Sequence, residues 1–188
     1  MEIDKTEVFG FSAAIRGMRN PHNSWDKSDS YTPSYSFMIG PKDMELAQGL
    51  IQQGSEHSKF LRFITVYMDI EAPLYFWKEW ETYKFKESNS CSTMHKILSR
   101  PLTANDFEHE LWSTERENQM CHLNNLIKEK QFREVIQDLP SNYLQKRTIV
   151  TNYAELRNIR KQRENHKLTE WHKVVKWIDG LEYSELLK

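Results

Sequence analysis

Hydrophobic and polar positions along the chain switch between two periods, and the switches mark out the elements. Glu7–Met18 contains Val8, Phe9, Phe11, Ala13, Ala14 and Ile15, a partial alternation that predicts a strand. Asn20–Tyr35, dominated by Asn, Pro, His, Ser, Asp and Thr, reads as a loop with Trp25 as its one bulky anchor. Lys42–Gln53 spaces Met44, Leu46, Ala47, Leu50 and Ile51 three to four apart, which predicts a helix that Gly54 ends. After a polar turn, Ser55–Lys59, the period returns to two over Leu61–Ile70. Ile64, Val66, Met68 and Ile70 then share one face, and Phe63, Thr65 and Tyr67 the other. Both faces are largely apolar, so a central strand is expected.

Pro73 suits a helix start, and Leu74–Tyr83 follows with Tyr75, Phe76, Trp77, Trp80 and Tyr83. Such an aromatic cluster is core or subunit contact more often than a stacking platform. Ser88–Thr93 is a polar loop, and Met94–Leu98 resumes an apolar pattern. Thr103–Trp112 is short and acidic. Ser113, with Arg116 and Glu117 after it, opens a long helix to about Lys130 with Met120, Leu123, Leu126 and Ile127 inward. Phe132–Leu139 is a short helix stopped by Pro140. Asn152–Arg163 is helical, with Asn152, Leu156, Ile159 and Arg163 along one face. Leu168–Ile178 is helical with Trp171, Val174, Val175 and Ile178 inward; Asp179–Gly180 turns, and Tyr183–Leu187 closes. Mixed elements with few strands predict an α+β fold, residues 1–188 forming a single domain.

A hydrophobic content of 38% with 12% aromatics supports a real core, while 28% charged residues leave much polar surface. The formal net charge of −1 supplies no global attraction to DNA or membrane, so any phosphate must be held by a local Arg/Lys cluster. Cys91 and Cys121 lie too far apart for a zinc knuckle and suggest no disulfide framework, which points to a reducing cytoplasm. The opening MEIDKTEVFGF has no apolar signal core, and the apolar runs are too short to span a membrane.

No G-x-G-x-x-G, Walker loop, H-E-x-x-H or G-x-S-x-G is present. His166 and His172 have the wrong spacing for one helical face, and Glu108–His109–Glu110 offers few convergent ligands, so no metal site is expected. Cys91 has Lys84, Lys86 and His95 nearby in sequence, but no base-and-orienter pair, so no catalytic residue is assigned. Arg16 and Arg19 flank Gly17 before the loop, where they form either a solvated turn or a phosphate-contacting lid. Arg157, Arg160, Lys161 and Arg163 make a basic run, for which a solvated face is the ordinary reading. Arg163 differs, because it shares a face with Leu156 and Ile159 and needs an acceptor, either a carboxylate or a ligand.

Two segments resemble the flavin-dependent thymidylate synthases, the ThyX-type enzymes. In Pro73–Met94, Lys78-Glu79-Trp80 stands at the family's R-Q-W, and the signature R-H-R-x-x-S-x-N-E-x-S-x-R falls on Thr82-Tyr83-Lys84, Glu87, Asn89-Ser90, Ser92 and Met94. Asn89 and Ser92 match and Lys84 keeps a positive charge; the first Arg, the His, the Glu and the last Arg are absent. In Leu139–Arg163, Leu139-Pro140, Asn142, Asn152, Leu156, Asn158 and Arg163 fall at family spacing. His166 and Trp171 are similar to the family's H-A-Q-W, and Ser55–Phe60 (SEHSKF) to its H-x-S-P-F-E-H turn. The chain also resembles small bacteriophage proteins with this degenerate signature, in Gly17-Met18-Arg19-Asn20-Pro21 and Ser90–His95.

The resemblance implies a central, mostly antiparallel sheet with flanking helices, a homotetramer, and sites between subunits that take FAD, dUMP and a folate. It places Asn152 and Asn158 near the flavin, Arg163 on the uracil and Ser92 on the nucleotide side. The departures alter that picture. Thr82 and Met94 cannot grip phosphate as arginines do, and Ser90 removes the signature carboxylate. Loss at four positions argues against the parent reaction. The expectation is a non-catalytic nucleotide-binding protein without a cofactor, holding a cyclic dinucleotide or dUMP-like ligand. The phage resemblance implies a sponge for cyclic nucleotide immune signals (anti-CBASS) in a host cytoplasm. The expected ligand-binding set is Arg16, Arg19, Lys84, Asn89, Ser90, Ser92, His95, Asn152, Asn158 and Arg163. The alternatives are a divergent FAD-dependent thymidylate synthase methylating dUMP, and an interaction protein with an empty pocket.

Overall fold

The structure is a computed structural model and describes residues 1–34 and 36–188. The elements run β1 (Glu2–Phe9), α1 (Phe11–Arg19), α2 (Pro41–Gln52), β2 (Thr65–Pro73), α3 (Leu74–Trp80), β3 (Glu87–Ser90) and α4 (Thr93–Lys96). They continue with α5 (Thr114–Lys128), α6 (Phe132–Asp138), β4 (Leu144–Asn152), α7 (Tyr153–Arg163) and α8 (Thr169–Asp179). The strands form a four-stranded antiparallel sheet in the order β1-β2-β4-β3, flanked by helices, which is the α+β architecture expected.

β2 has a strand on each side, as its pattern predicts, but only one of its faces is buried. Val66, Met68, Ile70 and Ala72 are inside, whereas Tyr67 is 43% exposed. The N-terminal expectation needs correction. The strand ends at Phe9, and Phe11–Arg19 is a helix. Gly10 makes the turn at φ 102°, and a Cβ there would stand 2.1 Å from the Phe63 carbonyl oxygen. Beyond it Phe11, Ala14, Ile15 and Met18 recur at i, i+3, i+4 and i+7, and all are buried. That helical period outweighs the short alternation through Val8, Phe9 and Phe11.

Two further corrections concern the sheet. Ser88–Thr93, expected as a loop, overlaps the edge strand β3, whose four residues are all exposed. Backbone pairing defines such a strand, not side-chain propensity. β4 was not expected at all; its burial alternates only toward its end, where Ile149 and Thr151 are inside.

The chain divides into two compact units. One comprises Met1–Asp4, Asp69–Lys84 and Ser88–Ile149. Its core includes Ile97, Leu102, Phe107, Leu123, Ile127 and Val135, and the helix-α3 aromatics Phe76, Trp77 and Trp80 are buried in the same unit. Core is therefore what that aromatic cluster supplies. The Trp77 indole donates to the Ala72 and Gln145 carbonyls at 3.0 Å each.

The other unit comprises Lys5–Met68, Phe85–Glu87 and Val150–Lys188. Helices α1, α7 and α8 bury Ile15, Met18, Tyr153, Leu156, Ile159, Trp171 and Val174 in it, with the Phe11 ring edge-on to Tyr153 at 5.6 Å. The Asn20–Tyr35 loop ends on a residue outside those described. Trp25 is not its anchor: it is 52% exposed, and its indole donates to Asn20 Oδ1 at 2.8 Å. The loop is held by Asp43 instead, which is fully buried in the first turn of α2. Asp43 accepts from Arg19 Nε at 2.5 Å, from the Ser28 and Ser30 hydroxyls at 2.6 Å each, and from the Ser30 backbone N–H at 3.1 Å. Burial pushes the Asp43 carboxyl up, but the two hydroxyls and the guanidinium outweigh it and hold the group below the usual carboxylate range.

Candidate functional site

A cleft of about 350 Å³ lies within the second unit. Three stretches far apart in sequence build it. Ser55, Ser58, Leu61 and Arg62 come from the turn before β2; Phe85 comes from the segment after α3. The junction of β4 with α7 supplies Asn152, Ala154, Glu155, Arg157, Asn158 and Lys161.

Local rules place these groups. Asn152 ends β4 and caps α7, its side-chain oxygen accepting from the Glu155 N–H at 3.0 Å. That cap sets the rotation of the helix. Leu156 and Ile159 then face the core, while Ala154, Arg157, Asn158 and Lys161, at i, i+3, i+4 and i+7, line the cleft. The Phe85 backbone is fixed by Thr151, whose hydroxyl donates to its carbonyl at 2.9 Å, and the ring itself is exposed. The Arg62 guanidinium lies 6.0 Å from the centre of that ring. Arg157 Nε donates to the Lys188 carbonyl at 3.0 Å, and Asn158 Oδ1 accepts from Gln162 at 2.9 Å.

Electrostatically the cleft is cationic, with Arg62, Arg157 and Lys161 on its wall, and it carries one acid, Glu155. Glu155 is 7% exposed. Burial raises its carboxyl above the ordinary range, and Lys86 opposes the shift only in part. The wall can therefore grip phosphate through its cations, offer a ring to stack on, and read polar edges through two amides and a carboxyl.

The expected ligand-binding residues are not gathered in one place. Asn152 and Asn158 line this cleft together. Arg16 and Arg19 line a smaller one of about 180 Å³ in the same unit, with Trp25, Ser28 and Ser30. There Arg19, 4% exposed, is engaged by Asp43 and the Ser24 carbonyl, while Arg16 is exposed. Arg163 has its guanidinium 4.4 Å from the centre of the Trp171 ring, so an aromatic face answers the charge on that apolar side.

The remaining expected residues belong to the first unit. Ser92 caps α4, its hydroxyl accepting from the His95 N–H at 3.1 Å and lying 2.8 Å from His95 Nδ1. Ser92 also lines a cleft of about 140 Å³ with Cys91, Lys96, Arg100 and Tyr143. Burial pushes the Tyr143 phenol up, with the nearby Asp106 adding to it. Lys84, Asn89 and Ser90 are exposed and line none of these three clefts. Cys91 and Cys121 are free and exposed. Among the described residues no group of three His, Cys, Asp or Glu side chains could hold a metal ion, and no helix is long and apolar enough to cross a membrane.

Sequence reasoning gave Arg62, Phe85 and Glu155 no role in a site, and read Arg157 and Lys161 as part of a solvated basic run. A usable signal was present: an N-cap Asn152 followed by Ala154, Asn158 and Lys161 at helical spacing marks a polar stripe on α7.

No protein-family model matches the chain, and no curated protein matches it. Solved structures do. The chain is similar to the flavin-dependent thymidylate synthase ThyX from Helicobacter pylori, complexed with FAD and dUMP. The TM-score is 0.77 at 17% identity, over 100% of this chain and 98% of that one. A second structure of the Helicobacter pylori enzyme with FAD and dUMP gives a TM-score of 0.74 at 18% identity, over 100% of both chains. The UMP/dUMP methylase PolB from Streptomyces cacaoi, bound with 5-Br dUMP, gives 0.67 at 13% identity, over 95% of this chain and 88% of that one. The fold is therefore ThyX-like.

Proposed function

We propose that this chain is a non-catalytic nucleotide-binding protein built on the ThyX-like fold. One observation carries the reading. A cleft with Arg62, Arg157, Lys161, Phe85, Asn152 and Asn158 on its wall sits in a fold whose solved examples hold FAD and dUMP. Cations for phosphate, a ring for stacking and amides for base edges make a nucleotide site. A flavin would bring a diphosphate, and the two signature positions that would grip it carry Thr82 and Met94. This donor set does not reproduce that grip. Binding without turnover follows, and the resemblance to small bacteriophage proteins supports sequestration of cyclic dinucleotide signals as the biological role. Assembly as a homotetramer in a host cytoplasm belongs to the same reading.

Isothermal titration of the purified chain with cyclic dinucleotides and with dUMP tests it. Saturable heat, with the nucleotide recovered intact by chromatography, is the expected result. The second reading, a divergent thymidylate synthase, is favoured by the presence of Asn152, Asn158 and Arg163 at family spacing. A yellow protein that takes up FAD and converts dUMP would overturn the non-catalytic reading.

A further inference from the structure

Glu155 is buried and lines the cleft, yet its carboxyl accepts no hydrogen bond from any described residue. The bond at this position runs the other way, from the Glu155 backbone N–H to the Asn152 side chain. A buried acceptor is normally given a donor within the fold. Lys86 supplies a neighbouring charge but no hydrogen bond to this carboxyl, and because the residue opens on a cleft, a donor is expected from what enters the cleft.

The chemistry of that donor can be narrowed. A simple amine would meet Arg62, Arg157 and Lys161 on the same wall and be repelled. The ligand must bring negative charge for those cations and N–H donors for Glu155. A carboxylate has two oxygens side by side and accepts two parallel N–H bonds. Among nucleobases, guanine offers N1–H and N2–H in that arrangement. Adenine and cytosine set a donor beside a ring-nitrogen acceptor, and uracil sets its one donor between two carbonyls; in each, a lone pair would face a carboxylate oxygen.

We propose that Glu155 reads the base, selecting guanine nucleotides by accepting N1–H and N2–H, with Phe85 as the stacking surface and the three cations on phosphate. The proposal rests on the nucleotide-binding reading and narrows it to one base. Glu155 is a specificity residue here, and no bond is made or broken.

Titration calorimetry on the full chain with GMP, IMP, AMP, CMP and UMP tests it. GMP should bind about tenfold to a hundredfold tighter than AMP, the discrimination expected of one good bidentate pair. IMP, which keeps N1–H and lacks the N2 amine, should fall between them. Glu155→Gln should abolish the GMP preference over AMP, because an amide presents a donor beside an acceptor and cannot accept both N1–H and N2–H. Equal affinity of the native chain for GMP, IMP and AMP overturns the base assignment and leaves the nucleotide reading standing. A GMP preference that persists in Glu155→Gln overturns it as well. No heat with any nucleotide overturns both. The GMP, IMP and AMP comparison needs no variant, so a poorly folding substitution does not block the test.

Discussion

Two buried carboxyl groups in the same unit, Asp43 and Glu155, meet opposite fates. Asp43 is enclosed, and four donors converge on it: a guanidinium, two hydroxyls and a backbone N–H. Glu155 is nearly as buried but has no side-chain donor, and it opens on a cationic cleft. Their carboxyl groups move in opposite directions, Asp43 below the ordinary range and Glu155 above it. Burial acts alike on both; the difference lies in what answers it. A satisfied buried acid is part of the scaffold. One left open to a cleft is poised for something the fold does not contain.

The strongest way to break the comparison is to remove Asp43. Its partner Arg19 is 4% exposed and would be left as an unpaired buried charge, while the Ser28 and Ser30 hydroxyls would lose their acceptor. Asp43→Ala should cost about 3–5 kcal/mol, the range for breaking a buried ion pair by removing one partner. Urea unfolding followed by circular dichroism measures it. A loss below about 1 kcal/mol would mean that the cluster is not holding the 20–34 segment to α2. The Ser28→Ala and Ser30→Ala changes should each cost less, about 1 kcal/mol, because each removes one hydrogen bond of several.

Glu155 predicts the reverse sign. Glu155→Gln keeps the shape and removes a charge that burial penalises, so stability should be unchanged or rise by up to about 1 kcal/mol. The same urea experiment reads it. A clear loss of stability would show that Glu155 has a structural partner after all, and the contrast with Asp43 would disappear. A cation on the cleft wall has a smaller consequence. Lys161→Ala should weaken binding of a phosphorylated nucleotide twofold to fivefold and flatten its salt dependence, because an exposed cation contributes little in high dielectric.

What could be read from the sequence follows the same division between local and assembled features. Helix α2, the long helix from Ser113, the α8 face with Trp171 and Val174, and the burial of Trp77 and Trp80 were legible, because period and caps are local. Helix α1 was misread because Val8, Phe9 and Phe11 alternate across Gly10, where the chain changes element. β3 and β4 were missed because sheet pairing, not residue preference, defines them. The site was less legible still. Asn152 and Asn158 line one cleft, and Arg62 and Phe85 join them from distant segments. The basic run on α7 also divides: Arg157 and Lys161 face the cleft, whereas Arg160 Nε pairs with Asp179 at 2.6 Å. Neither Asp43 nor Glu155 drew notice in the sequence, since only three-dimensional surroundings separate a held acid from an open one.

The smallest effect is the most discriminating, because it depends on sign. The Asp43 carboxyl is lowered on folding, so it contributes stability above the ordinary carboxylate range, about pH 4, and that contribution is lost as pH falls through the lowered folded value. Glu155 is raised on folding, so ionising it works against the fold. Its penalty is present at neutral pH and is relieved as pH falls through the raised folded value toward about 4.3, the unfolded reference. Subtracting the Glu155→Gln stability curve from that of the native chain should therefore leave a small gain for the native chain on acidification in this window. Saturating the cleft with a guanine nucleotide should erase the gain, because a carboxylate accepting two N–H bonds is stabilised in its charged form. If the gain persists unchanged with ligand bound, Glu155 is not the group that meets the base.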